Sequence, residues 1–281
     1  MKTRTFIQLQ KNFYVDAEFK KAFEQLGLTN IDSVFAFNAG RNLAKNDLAK
    51  HRTRMQFQTQ SPAATMYLKR YDNPPRPTQL KNWFAHRRIA TTMFYDLDAA
   101  EKLHLQGINT PRTIAYGSQA GPLFEKRSFI ITEKVPGQSL ERRLPACFQN
   151  KSLANLKAQR KFIAELAGFA ARFHNTGFRH RDFYFAHIFY DDNDFYLIDL
   201  ARAFKPLFFS KRYRIKDIAQ LCYGASAKYF SKTDRLRFYH AYTGRARLTH
   251  TEKSFIRAVI NKISRMARHD RKHNRAVPFE L

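Results

Sequence analysis

The sequence predicts an α+β protein of two lobes. Three observations carry this. Strand-like runs dominate the first 134 residues, the chain is broken at Pro136-Gly137, and the second half is mostly helical with one small β-hairpin. The expected division is 1–134, an N-lobe of antiparallel sheet plus helix, and 135–281, a helical C-lobe, with a cleft between them. A chain of 281 residues with 44% hydrophobic and 15% aromatic residues has the size and apolar content for such a core, which excludes global disorder.

Taken in chain order, a short helix is expected near Phe19 to Leu26, followed by a polar, basic stretch from Arg41 to Arg54. Arg54 to Gln58 and Thr65 to Tyr71 read as two strands, separated by the turn signal Gln60-Ser61-Pro62. Three prolines make Asp72 to Pro77 a loop. A helical pattern then runs from about Ile89 to Leu105 and closes at Gly107. Ile114 to Tyr116 and Ser128 to Thr132 read as strands.

Beyond the break, Phe162, Ile163, Leu166, Phe169, Ala170 and Phe173 recur at helical spacing, which predicts a helix over Leu156 to Asn175, ended by Gly177. Ile188 to Tyr190 and Phe195 to Ile198 flank Asp191-Asp192-Asn193-Asp194 and predict a hairpin. From Lys216 to about Arg271 the chain reads as helices. In the last of them Ile256, Val259, Ile260, Ile263 and Met266 form an apolar stripe among basic residues. Such a stripe packs on the core or lies on a membrane, and core packing is the favoured reading.

The formal charge of +27 draws polyanions: nucleic acid, an anionic membrane or a phosphorylated substrate. Two cysteines, Cys147 and Cys222, make no disulfide framework and no metal-ligand spacing. The first residues lack the apolar run of a signal peptide, and no stretch approaches about 20 consecutive apolar residues. A cytoplasmic protein, soluble or peripheral at the inner face of a membrane, is the expectation.

The chemistry-bearing segment is His180-Arg181-Asp182, then His187, then Asp199 twelve residues further on. A long helix leads straight into it and the hairpin leads straight to Asp199. This order resembles the catalytic loop and metal-binding aspartate of protein kinases. One carboxylate, Asp182, would orient an acceptor hydroxyl and take its proton. The other, Asp199, would hold Mg²⁺ against the phosphates of ATP. His187 stands where protein kinases have Asn, as a second metal ligand or as a hydrogen-bond donor to a phosphate or to Asp199.

Upstream, Lys69 in Tyr67-Leu68-Lys69 matches the strand lysine that contacts the α- and β-phosphates. The following helix offers Asp96, Asp98 and Glu101 as its partner. Asp96 is chosen by position, with a longer or water-bridged pair expected because Asp is one methylene shorter than Glu. No glycine-rich loop precedes Lys69, and Lys50 to Arg54 is a candidate basic cover for the phosphates or an ordinary solvated charge run. Backbone groups near Glu133 and Val135 are candidates for reading adenine.

With these residues in view, the chain is similar to the bacterial lipopolysaccharide core kinases that phosphorylate heptose or Kdo sugars, the WaaP-like group. The resemblance rests on Tyr67-Leu68-Lys69, Leu105 to Thr110, Ser128 to Glu133, His180 to His187, Ile198 to Arg202, Lys216 to Leu221 and Thr233 to Phe238. It implies a protein-kinase-like fold, ATP and Mg²⁺, and an inner-core sugar hydroxyl as acceptor. A histidine is expected at position 187 in that group, and Glu is usual where Asp96 stands. It also implies work beside an anionic inner-membrane surface, where basic residues gain about 1 kcal/mol each. The charge makes an acidic protein partner plausible, and Asp217 is expected to anchor the catalytic loop. Two other classes stay open: a kinase-fold enzyme with a protein or small-molecule acceptor, and a degenerate kinase fold that grips polyanions. Intact Lys69, Asp182 and Asp199 argue against the second, and nucleic acid is disfavoured as a partner.

Overall fold

The computed structural model describes residues 5–43, 51–148 and 152–278. Contacts divide the chain into two compact units, Met1–Lys102 with Thr110–Val135, and Leu103–Asn109 with Pro136–Leu281.

The first unit is built on an antiparallel sheet. Its strands are β1 (Phe6–Gln10), β2 (Phe13–Asp16), β3 (Arg41–Asn42), β4 (Arg52–Gln60), β5 (Ala63–Asp72), β6 (Thr113–Ala120) and β7 (Glu125–Glu133), in the order β1-β2-β6-β7-β5-β4-β3. Strands β4 and β5 pair in unbroken register from Arg52↔Tyr71 to Gln60↔Ala63 across the tight turn expected at Ser61-Pro62.

Period-2 alternation on β5 sorts its two faces. Met66 and Leu68 enter a core with Phe13, Phe19, Phe23, Val34 and Phe129, closed by α1 (Lys20–Gln25) and α2 (Ile31–Ala36). Buried Arg70 on that face donates to the carbonyls of Val34, Phe35 and Phe37 and so caps the end of α2. Tyr71 on the opposite face packs with Ile130 against Met93 and Leu97 of α4 (Thr92–His104).

A helix α3 (Arg76–His86) begins inside the stretch expected to be loop. Pro77 sits in its first turn, where the missing N–H has no partner to lose, so the prolines mark the start of a helix and do not exclude one.

In the second unit, a small sheet β10-β9-β8 pairs Gln138–Ser139 (β8) with Ile188–Tyr190 (β9) and β9 with Phe195–Leu197 (β10). Among the described residues of this unit the helices are α5 (Leu140–Cys147), α6 (Leu153–Asn175), α7 (Ser210–Gly224), α8 (Lys232–Thr243) and α9 (His250–Lys272), joined by loops and short 3-10 turns. The stripe read on α6 is buried, and its rings stack with the His180–His187 loop and the hairpin: Phe169 on Phe195, and Phe173 on Phe183. On α9, Phe255, Val259, Ile263 and Ala267 are buried and the helix packs on α7, so of the stripe read from the sequence Val259 and Ile263 serve the core, while Ile256 and Met266 are half-buried and Ile260 is exposed. Cys147 and Cys222 are free thiols.

Gly137 has φ +72°, and a Cβ there would lie 2.1 Å from the Tyr190 carbonyl oxygen on β9. Only glycine combines that backbone with that approach. Gly137→Ala is therefore expected to destabilise the second unit by about 2 kcal/mol or more, read as a lower denaturation midpoint.

Candidate active site

In the first unit, Lys69 lies at the middle of β5, between Arg54 of β4 and Ile130 of β7. It shares the Tyr71 face, toward α4. Its Nζ donates to Asp96 Oδ2 at 2.6 Å, and both side chains are largely buried. The expected longer or water-bridged contact is not what forms. Met93 and Leu97 flank Asp96 on α4 and pack on the sheet, which brings the helix near enough for the shorter carboxylate to reach.

Glu133 ends β7, and its amide donates to the Arg112 carbonyl at 2.9 Å. An adenine-reading role at Glu133 therefore falls to its carbonyl alone. Val135 is buried at the end of this unit. Of the basic run, Lys50 lies outside the described residues. Arg52 to Arg54 open β4, with Arg52 stacked over the Tyr71 ring at 5.2 Å.

In the second unit one loop and one hairpin gather Asp182, His187 and Asp199. Phe183 is fully buried and stacks on Phe173 at 5.3 Å, fixing the loop to α6. The loop backbone is held by α7. Asp217 accepts from the amides of His180 and Arg181, both at 2.8 Å. Gln220 accepts from the Phe183 amide at 3.0 Å and donates to the Arg181 carbonyl at 2.9 Å, and Lys216 donates to that same carbonyl. Positions 216, 217 and 220 share one helix face, so a single element holds several backbone groups. Arg181 takes φ +70°, a left-handed conformation these contacts impose.

His187 Nδ1 lies 2.7 Å from the Asp182 backbone carbonyl, which only accepts, so Nδ1 carries the proton. The other ring nitrogen, Nε2, stands 3.8 Å from Asp199 Oδ2. Asp199 sits at φ +60°, ψ +58° directly after the hairpin, and the preceding Ile198 carbonyl accepts from His180 Nε2 at 3.0 Å. The hydrogen bond from His187 thus goes to the Asp182 backbone, and Asp199 faces the other ring nitrogen.

Arg202 and Lys216 were given no role by the sequence, and both stand at Asp182. Arg202 Nη1 donates to both carboxylate oxygens, at 2.8 and 3.1 Å, and Lys216 Nζ is 3.9 Å from Oδ1. Burial, with Arg202 and Arg181 nearby, holds Lys216 below the usual lysine range despite Asp182. The signal available was spacing: Arg202 follows Asp199 by one turn, and Lys216 adjoins the anchoring Asp217.

A buried chain behind the loop was also missed. Tyr242 of α8 lies 2.8 Å from His174 Nδ1, and His174 Nε2 lies 3.4 Å from Asp217 Oδ2. Desolvation pushes the His174 pKa down, so this is a hydrogen bond from a neutral ring and not an ion pair. Desolvation lowers the His180 pKa likewise.

Since both folded values lie below the ordinary 6.5, the unfolded chain binds protons that the native chain refuses. Their contribution is complete above pH about 6.5 and is lost as pH falls below it, by up to about 1.4 kcal/mol per unit for each histidine. The denaturation midpoint should drop between pH 6.5 and 5, and His174→Gln should flatten part of that slope. A midpoint constant over this range would contradict the neutral assignment.

Among the described residues no group of three or more His, Cys, Asp or Glu side chains is placed to hold a metal ion. The donor set beside the Asp182 loop is Asp199 with His187. Mg²⁺ is commonly held by one or two protein carboxylates and completed by phosphate oxygens and water, so Asp199 fits it as a substrate-completed site.

The profile of the "Lipopolysaccharide kinase (Kdo/WaaP) family" matches residues 47–242. The chain is 31% identical over 153 residues to the lipopolysaccharide core heptose(I) kinase WaaP of Pseudomonas aeruginosa, a match covering 51% of this chain and 56% of that protein. It is 25% identical over 201 residues to the Escherichia coli K12 protein of the same name, covering 68% of this chain and 75% of the relative. Among solved structures, WaaP in complex with acyl carrier protein aligns with a TM-score of 0.64 at 21% identity, over 92% of this chain and 98% of that one. The α+β, kinase-like fold read from the sequence is the fold found.

Proposed function

The chain belongs to the lipopolysaccharide kinase (Kdo/WaaP) family, and on that premise we propose that it transfers the γ-phosphoryl group of ATP to a heptose or Kdo hydroxyl of the lipopolysaccharide inner core. The relatives named as heptose(I) kinases support heptose as the first acceptor to test. The observation that carries the reading is that Asp182 and His187 share a loop whose backbone Asp217 holds by two hydrogen bonds of 2.8 Å, while the hairpin brings Asp199 to 3.8 Å from His187.

In the proposed reaction Asp182 accepts a hydrogen bond from the sugar hydroxyl, aims its oxygen at the γ-phosphorus and takes the proton as the new P–O bond forms. The Arg202 guanidinium, which engages both Asp182 oxygens, gives up one of them to the hydroxyl and keeps the carboxylate oriented. Lys69, held by Asp96, contacts the nucleotide's non-transferred phosphates. Mg²⁺, held by Asp199 with His187 beside it, would neutralise charge on the β- and γ-oxygens. Positioning and electrostatics supply most of the rate.

No described helix is long and apolar enough to cross a membrane. The +27 charge supports a cytoplasmic, peripheral site of action at an anionic inner-membrane surface, where the acceptor is made. The same charge supports an acidic protein partner, a kind of partner that the acyl carrier protein complex illustrates for the structural relative.

The test is an acceptor panel: dephosphorylated core oligosaccharide, Kdo-bearing lipid A and a generic protein, each with ATP and Mg²⁺, and the phosphate located by mass spectrometry. Phosphate on a core sugar is expected. ATP turnover with every core sugar left unmodified would discard the acceptor class.

A further inference from the structure

The segment between Phe204 and α7 is not used by the reaction above, yet it lies next to the catalytic loop. Phe204 and Arg179 exchange backbone hydrogen bonds of 2.9 and 3.1 Å, and Arg179 Nη2 donates to Ser210 Oγ at 2.9 Å. Both ends of the segment are therefore tied to the strand-like stretch that enters the loop. Between these ties Leu207, Phe208 and Phe209 are 62, 75 and 72% exposed. Single exposed apolar residues are ordinary on a protein surface, but three consecutive ones, two of them phenylalanine, are not. Phe209 also takes φ +59°, a backbone rarely adopted by a bulky residue.

The sequence flanking this tip carries charge of one sign. From Arg202 to Lys216 the sequence holds six basic residues and no acidic one. Lys205, Lys211 and Arg212 are exposed beside the triplet. An apolar tip flanked by exposed Lys205, Lys211 and Arg212 matches the boundary of an anionic bilayer, with hydrocarbon below and phosphate headgroups at its edge. A protein groove able to take the tip would also have to match these three basic side chains, so the bilayer is the simpler fit.

We propose that Leu207, Phe208 and Phe209 insert into the interface of an anionic membrane while Lys205, Lys211 and Arg212 contact its phosphates. The segment starts just after Arg202 and leads into the helix bearing Lys216 and Asp217, so docking it brings Asp182 to the headgroup surface. This rests on the membrane-facing part of the function proposed above, but its test needs neither ATP nor acceptor.

Full-length protein is sedimented with vesicles of phosphatidylglycerol and phosphatidylethanolamine, and with phosphatidylcholine vesicles as control. Wild type should bind the anionic vesicles. L207S/F208S/F209S and K205Q/K211Q/R212Q should each lower the partition coefficient by at least about tenfold. All six side chains are exposed, so both variants should fold, which circular dichroism checks. L207S/F208S/F209S should still phosphorylate a deacylated, water-soluble core oligosaccharide at the wild-type rate. Vesicle binding unchanged in both variants would overturn the proposal. So would a serine variant that dissociates a dimer without losing vesicle binding, since the tip would then cover a second copy. So would equal losses on vesicles and on the soluble acceptor. If wild type binds vesicles through this segment but phosphorylates no core sugar, the insertion stands and the acceptor assignment fails alone.

Discussion

Asp182→Asn should lower the phosphotransfer rate constant by about a thousandfold or more, within the range a positioned base contributes, and leave ATP affinity nearly unchanged. The prediction is sharp because the loop does not depend on this side chain for its shape. Phe183 anchors it in the core, Asp217 holds the two preceding amides, and His187 donates to the Asp182 backbone carbonyl rather than to its carboxylate. Asparagine keeps the volume and loses proton affinity, so a fall in kcat reports chemistry and not collapse. Steady-state kinetics and a nucleotide titration on the same preparation measure it. A rate within a few-fold of wild type would remove Asp182 from the role of base.

Asp217→Ala should have the second-largest effect, and on two observables at once. The side chain is fully buried, accepts from the His180 and Arg181 amides and receives the His174 ring. Its loss leaves two backbone donors without their partner and releases Arg181 from its left-handed backbone. Leaving two buried donors unsatisfied costs about 1–3 kcal/mol each. At a temperature where the variant is still folded, kcat should fall by about a hundredfold or more because Asp182 is no longer aimed. Asp217→Asn should be intermediate: its one carbonyl oxygen serves one amide while its NH₂ opposes the other. Denaturation midpoints and kcat should rank wild type, Asn, Ala in that order. Full activity in a stably folded Asp217→Ala would show that the loop is held by other contacts.

Much of this protein is legible in its sequence where the signal is local. The stripe on α6 is a 3.6-residue period sustained over several turns. The turn at Ser61-Pro62 fixes the register of β4 and β5, and the hairpin before Asp199 is set by four consecutive turn-forming residues. The segment from His180 to Asp199 is local too, which is why Asp182, His187 and Asp199 could be read together.

What escaped was short or distant. Helices α2 and α5 span 6 and 8 residues, too few for a period to show. Helix α3 was hidden by prolines that serve its first turn. Arg202 meets Asp182 across 20 positions, and Tyr242 meets His174 across 68, and no local pattern encodes such pairs. Asp96 is picked out as the partner of Lys69 by counting back along the helix from Gly107, but the directness of the contact comes from how α4 packs on the sheet, a tertiary property.

The most direct test of the central claim, phosphoryl transfer by this loop, is to incubate wild-type protein with γ-labelled ATP, Mg²⁺ and dephosphorylated lipopolysaccharide core, and to follow the label. Label in acid-stable sugar phosphate, formed in proportion to ADP, is the predicted result. Folded protein that binds ATP and core but moves no label into any acceptor would contradict it.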